Sequence, residues 1–314
     1  MSGSRRLAAL ALLAAMPLAP SPSPAAAERR ELGPLMLEGV PPIPEDLLER
    51  LARYQSARQA LLQDWFPGGG VLILTRFGET NQVHRVAFPG ADREQLSFFP
   101  EPVAHARALP DGSGFLFLAD RGGAEFFQIH RQHLADGRVE RLTDGRSRHG
   151  PPVLDARGRR MAFVGTGRNG RDFDVYEGPI EGPHERVLEA EGTWQVFDYS
   201  PDGRFLLVAQ RVSINESEPF LLELANRRLL RLRPKSEPAS YDLMRFDPRG
   251  GAVYYVSNAG GEFRTLRRLE LARGEERVLS AESPWDVTAL DREPRAALAS
   301  PTSSTRTDSR GWWC

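Results

Sequence analysis

A strand–turn–strand unit recurs about every 46 residues in this chain, and that period constrains the fold more than any other feature. The turns read Pro110-Asp111-Gly112, Asp155-Ala156-Arg157-Gly158, Pro201-Asp202-Gly203 and Asp247-Pro248-Arg249-Gly250. Gly112, Gly158, Gly203 and Gly250 are spaced by 46, 45 and 47 residues. A fixed period of this size, built from strands, predicts an all-β fold: a β-propeller of four-stranded antiparallel blades. A propeller is a scaffold, so any activity must come from a grafted site or an attached domain.

An apolar run follows each turn: Phe115-Leu116-Phe117-Leu118, Met161-Ala162-Phe163-Val164, Phe205-Leu206-Leu207-Val208 and Val253-Tyr254-Tyr255-Val256. Val71-Leu72-Ile73-Leu74, after Gly68-Gly69-Gly70, opens a divergent first copy. Apolar residues at consecutive positions mean that both strand faces are buried. A blade held between two neighbours needs such a strand. A second strand then follows a polar loop, as in Asp172-Phe173-Asp174-Val175-Tyr176. Tight turns such as Ala135-Asp136-Gly137 lead to a charged last strand, as in Val139-Glu140-Arg141-Leu142. Charge of this kind blunts an outer edge. The count is about five blades over residues 67–290, with the beginning of another at Trp285-Asp286-Val287.

Net charge is −1, so no basic field for nucleic acid exists. The sole cysteine, Cys314, allows neither an internal disulfide nor a cysteine metal site. Arg5-Arg6, the apolar run Leu7 to Leu18 and Ala25-Ala26-Ala27 read as a signal peptide over residues 1–27, cleaved near Ala27. An uncleaved anchor is the alternative. Either reading places the rest in the periplasm or outside the cell. No further membrane span is expected. In the extension of residues 28–66, Leu47, Leu48, Leu51, Tyr54, Leu61 and Leu62 predict one amphipathic helix over 45–62, packed on the propeller rim, with a partner-docking helix as the alternative.

Three stretches are more specific. Residues 73–86 (Ile73-Leu74-Thr75-Arg76-Phe77-Gly78 through His84-Arg85-Val86) with Gln95-Leu96-Ser97-Phe98-Phe99-Pro100 form the first. Arg141-Leu142-Thr143-Asp144-Gly145 is the second, and Val212-Ser213-Ile214-Asn215-Glu216-Ser217 the third. With the Ser200-Pro201-Asp202-Gly203-Arg204 turn, they resemble the N-terminal propeller of bacterial prolyl oligopeptidase-family serine peptidases, of the dipeptidyl aminopeptidase and acylaminoacyl peptidase type. TolB-like propellers share the turn. The resemblance spans residues 41–287. It implies a propeller that caps an α/β-hydrolase domain and admits only short peptides to its serine. No G-x-S-x-G is present, so no catalytic residue carries over. The expected role is therefore that of a non-catalytic, substrate-gating portion. The alternative is a stand-alone TolB-like propeller that binds a protein partner. No cofactor or metal is expected.

Residues 291–314 leave the pattern. Ala299 to Arg310 can be encoded by codons that, read two bases later, spell L-A-Y-V-V-N-E-D-G-F-S, a buried strand followed by a turn. A frameshift is the expectation, and a natural disordered tail the alternative.

Other features are weighed as decoys. Gly165-Thr166-Gly167-Arg168-Asn169-Gly170 fits a dinucleotide loop, but a strand follows it where a helix is needed. His130 and His133 lie three apart on a strand and so point to opposite faces. His84, His105, His149 and His184 are scattered. Arg146, Arg148, Arg157, Arg159 and Arg160 suggest either a cationic lip or solvated loops. Asp172 and Asp174 could share acid–base work or satisfy a turn. Asn215-Glu216-Ser217 fits a glycosylation sequon, but no glycan is expected.

Overall fold

The computed structural model describes residues 28–33, 35–234, 238–280 and 283–290. The signal segment and the off-pattern tail lie outside them. The chain divides into two compact units, Met1–Glu49 and Arg50–Cys314. In the first, β1 (Arg29–Leu32) and β2 (Leu35–Glu38) form an antiparallel hairpin.

The helix α1 spans Glu45–Gln55 and none of its residues is buried. It stops short of the expected end at 62, because Leu61 and Leu62 open a strand instead. Leu61 pairs with Leu74, and Leu62 with Ile73. Sheet pairing overrides the local helical spacing.

Five four-stranded antiparallel sheets follow. The first holds β3 (Leu61–Trp65), β4 (Val71–Thr75), β5 (Gln82–Val86) and β6 (Arg93–Gln95). The second holds β7 (Val103–Ala108), β8 (Gly114–Ala119), β9 (Gln128–His133) and β10 (Val139–Arg141). The third holds β11 (Val153–Leu154), β12 (Arg160–Gly165), β13 (Asp174–Pro179) and β14 (Glu185–Leu188). The fourth holds β15 (Thr193–Tyr199), β16 (Phe205–Arg211), β17 (Ser217–Glu223) and β18 (Arg228–Arg231). The fifth holds β19 (Tyr241–Phe246), β20 (Ala252–Ser257), β21 (Thr265–Glu270) and β22 (Glu276–Val278). The described residues thus form a β-propeller of five four-stranded blades.

The repeated turns join the first two strands of a blade. Each closes with a bond from the glycine amide: Gly112 to Leu109, Gly158 to Asp155, Gly203 to Ser200 and Gly250 to Asp247. All four glycines take positive φ, between 61° and 75°, a conformation that costs glycine little. Two of them also accept a proline from the preceding blade. A Cβ on Gly158 would lie 2.4 Å from Pro110, and one on Gly250 would lie 3.3 Å from Pro201. Proline and glycine therefore recur together because successive turns nest.

The buried strands β4, β8, β12, β16 and β20 fill the interfaces. Leu72, Leu74 and Val83 meet Phe115 and Phe117 between blades one and two. Leu116, Leu118 and Ile129 meet Met161 and Phe163 at the next junction. Val164 and Val175 meet Leu206 and Phe220, and Leu207 and Ala209 meet Tyr241 and Val253. Among the described residues, no core cluster joins blade five to blade one.

Polar pegs lock the outer strand of blades one, two and five. Ser97 Oγ accepts from the Val83 amide (2.8 Å) and donates to Gln82 (2.9 Å). Thr143 Oγ1 accepts from the Ile129 amide (3.0 Å) and donates to Gln128 (2.7 Å). Ser280 Oγ accepts from the Leu266 amide (3.2 Å). Buried amides of this kind must be paired. The Gln95-Leu96-Ser97 and Arg141-Leu142-Thr143 stretches thus carry a structural peg.

Residues 283–290 form no strand, yet they are seated as the beginning of a blade. The Val287 amide bonds to the Arg264 carbonyl (2.9 Å), just as Val103 does to Asn81 (2.9 Å) and His149 to Phe127 (3.1 Å). In each case the acceptor immediately precedes the third strand of the blade before.

Candidate functional site

The first strands β3, β7, β11, β15 and β19 each form one edge of their sheet, with β3 against β7, β11 against β15 and β15 against β19. Bulges interrupt β3, β7, β15 and β19. The ends of these first strands are charged in alternation. Asp64 lies 3.4 Å from Arg107 and accepts from the Ala108 amide (3.0 Å). Asp198 likewise accepts from the Phe246 amide (3.0 Å), while Arg245 donates to the Phe197 carbonyl (2.8 Å). An aspartate on blade one clasps blade two, and one on blade four clasps blade five. His105, on β7, sits at a bulge with φ of 52°, a strained conformation for a non-glycine residue.

Each sheet is a simple meander, so the loops after its second and fourth strands emerge at one end. That end carries exposed apolar side chains on four of the five blades. Phe77 and Phe98 belong to blade one, Phe126 to blade two, Ile214 to blade four and Phe263 to blade five. They are 48%, 77%, 46%, 80% and 37% exposed, respectively. On blade three the equivalent Phe173 is partly buried. A recess here is lined by Gln195, Arg211, Glu216, Ser240 and Asp242, among others. It holds about 20 Å³, the scale of one water.

The loop at residues 166–173 is held rigid by ion pairs. Arg168 donates to Asp174 through Nε (2.8 Å) and Nη2 (3.1 Å), and its Nη2 also reaches Asp172 (3.4 Å) and the Ala190 carbonyl (3.0 Å). Asp172 accepts from Asn169, Arg171 and the Gly192 amide. The two aspartates are brought together, but guanidinium and amide donors occupy both. The glycine-rich run is the hairpin loop between the antiparallel strands β12 and β13.

Asp144 stands between Ser147 and His149. Ser147 Oγ donates to Asp144 Oδ2 (2.5 Å), and His149 Nε2 lies 4.0 Å from Asp144 Oδ1. A catalytic triad places the histidine between serine and acid; here the acid is central, so no base activates Ser147. Partial burial opposes ionisation of Asp144. Hydrogen bonds from the Ser147 hydroxyl and from the Arg146 and Ser147 amides outweigh it and hold the carboxyl at about 2. A depressed folded-state pKa contributes stability that is present above 3.8 and is lost as pH falls through 2. Asp144→Asn is therefore expected to lower the melting temperature at pH 5 and above. That deficit should shrink as acid protonates the wild-type carboxyl. Melting curves of both forms from neutral pH down to about 2 check this, and a deficit constant across that range would contradict it.

The arginine cluster does not form one surface. Arg146 and Arg148 lie in the loop before β11, and Arg157, Arg159 and Arg160 lie at or just after the turn that follows it. Arg148 pairs with Glu125 (3.6 Å), and Arg160 donates to Glu177 through Nε (2.6 Å). Tyr199 also donates to Glu177 (3.0 Å), which ties blade four to blade three.

His130 and His133 are separated as their spacing requires. His130 stacks on Phe117 at 5.2 Å. His133 instead meets Glu140 and Glu181, with potential ligand atoms within 4.8 Å of one another. Arg138 pairs with Glu140 and Arg131 with Glu181. Two guanidinium groups already neutralise the two carboxylates, so the cluster is an ion-pair joint between blades two and three. Glu181 comes from the next repeat, and no sequence spacing links it to His133. Asn215 is exposed in the loop between β16 and β17, while the Ser217 hydroxyl is bonded to the Tyr241 backbone. His84 is buried, and its Nδ1–H donates to the Gln82 carbonyl (3.0 Å). His184 packs edge-on against Phe163.

No family model matches the sequence. No curated protein matches it either. Solved structures do share the fold. TolB from Acinetobacter baumannii superposes with a TM-score of 0.52 at 16% identity, over 71% of this chain and 52% of that one. An oligogalacturonate lyase in complex with manganese gives 0.58 at 13%, over 71% and 65%. A prolyl endopeptidase gives 0.59 at 12%, over 84% and 47%. The chain thus spans about half to two thirds of the length of these proteins. The class that the fold defines is the β-propeller, with TolB-like and prolyl endopeptidase-like neighbours.

Proposed function

We propose that this chain is the non-catalytic propeller portion of a prolyl oligopeptidase-type serine peptidase. In this reading it gates the approach of peptides to an α/β-hydrolase domain and carries no nucleophile. The observation that supports it best is the set of exposed Phe77, Phe98, Phe126, Ile214 and Phe263 in loops at one end of the sheets. Exposed apolar side chains gathered on one face mark an interaction surface. The same face suits the second reading, a stand-alone TolB-like propeller that binds a protein, which the TolB likeness favours. The N-terminal segment supports an address in the periplasm or outside the cell.

Two measurements separate these readings from each other and from a free-standing enzyme. Purified chain incubated with aminoacyl and dipeptidyl chromogenic substrates is expected to give no turnover. Hydrolysis blocked by a serine-reactive reagent would overturn the non-catalytic reading. The nucleotide sequence beyond codon 290, read in all frames, is expected to continue into further blades and a G-x-S-x-G. A downstream sequence lacking both would leave the TolB-like reading standing.

A further inference from the structure

We propose that α1 is a self-association surface, occupied by the same helix of a second copy of this chain in antiparallel orientation. The helix is eleven residues long, and every one of its side chains is exposed. Isolated helices shorter than about 12–15 residues are marginal in water. This one therefore needs a surface to hold it.

Its own sequence specifies that surface. Leu47, Leu51 and Tyr54 recur at i, i+4 and i+7, and Leu48 widens the stripe. Their exposures are 40%, 39%, 83% and 49% in that order. The polar residues are segregated along the axis. Glu45, Asp46 and Glu49 come first, then Arg50 and Arg53. Asp46 and Arg50 sit one turn apart on the flank beside Leu47 and Tyr54.

Charge selects both the occupant and its direction. Two parallel copies would set acid against acid and arginine against arginine. Two antiparallel copies set the acidic half of each against the basic half of the other. Asp46 then faces Arg50 of the second copy, twice, across a two-fold axis. Leu47 and Leu51 interdigitate along the same seam. The helix dipoles also oppose in this arrangement. Such an interface is self-complementary and closes as a dimer. A membrane surface fits less well, because the helix carries three acids and two arginines.

One short helix per copy buries less than the roughly 1,200 Å² of a permanent dimer. Association is therefore reversible and depends on concentration and salt.

Sedimentation equilibrium of the full chain across a wide concentration range tests the proposal. A monomer–dimer equilibrium is expected, weakened by salt. Leu51→Glu should weaken it by at least about tenfold. Asp46→Arg should do the same by setting two arginines together, and Asp46→Arg combined with Arg50→Asp should restore it. All of these positions are exposed, so thermal melting should stay unchanged and guards against a folding artefact. A chain that stays monomeric at every concentration would overturn the proposal, as would a dimer indifferent to Leu51→Glu. Failure of the double exchange to restore association would count equally against it. Protection of α1 only in a complex with a different protein would assign the face to that partner instead.

Discussion

Asp174→Ala is expected to destabilise the propeller by about 3 kcal/mol, the lower end of the cost of breaking a buried ion pair. Asp174 is fully buried at the start of β13. It receives a forked pair of bonds from Arg168, and it also accepts from the Ala190 amide at 3.2 Å. Arg186 lies 3.8 Å away. Alanine removes every one of these acceptors while leaving the donors in place. Arg168 retains Asp172 and the Ala190 carbonyl, which keeps the cost from rising further. For a domain of this size, about 2–4 °C of melting temperature follows each kcal/mol, so a drop of about 6–12 °C is expected. Asp174→Asn keeps one acceptor oxygen and should fall between the two. A loss smaller than about 1 kcal/mol would show that solvent replaces the ion pairs.

Phe117→Ala should cost about 3–5 kcal/mol, the usual range for removing a large buried aromatic. Phe117 is wholly inaccessible and touches rings from two blades: Phe99 at 5.1 Å, Phe115 at 5.8 Å and His130 at 5.2 Å. The cavity opens in the junction between the first two blades, where neither sheet can collapse without shifting its neighbour. Phe98→Ala is the matched control. Phe98 is 77% exposed, and its truncation should change stability by no more than about 0.5 kcal/mol. Denaturant unfolding of the three proteins side by side checks both values. Equal losses would mean that Phe98 is covered in solution.

The blade pattern was legible because two independent constraints recur at one period. The nested turns demand proline and glycine at fixed positions, as Pro110 and Gly158 show. The second strands demand apolar residues on both faces, as Phe115 and Leu116 show. The limits of legibility are equally physical. Leu61 and Leu62 fit a helix stripe and a strand equally well, and only pairing with Leu74 and Ile73 decides between them. Arg146 and Arg160 are close in sequence but separated by β11, so nearness in the chain misled about nearness in space. The joint of His133 with Glu181 and the clasp of Asp64 on Ala108 each span two repeats. Neither leaves a trace that a single sequence displays. Phe77, Phe98 and Ile214 fall in stretches that resemble peptidase propellers, whereas Phe126 and Phe263 do not, and the gathering of all five at one end emerges only once the meander is traced.

The pairing order has a consequence for how the molecule comes into being. Among the described residues, every propeller strand finds its partners inside its own repeat, and the core clusters join only sheets adjacent in the chain. Folding can thus advance with synthesis, each newly emerged repeat settling against a finished one. The earliest repeats would be protected from proteases before the later ones are translated.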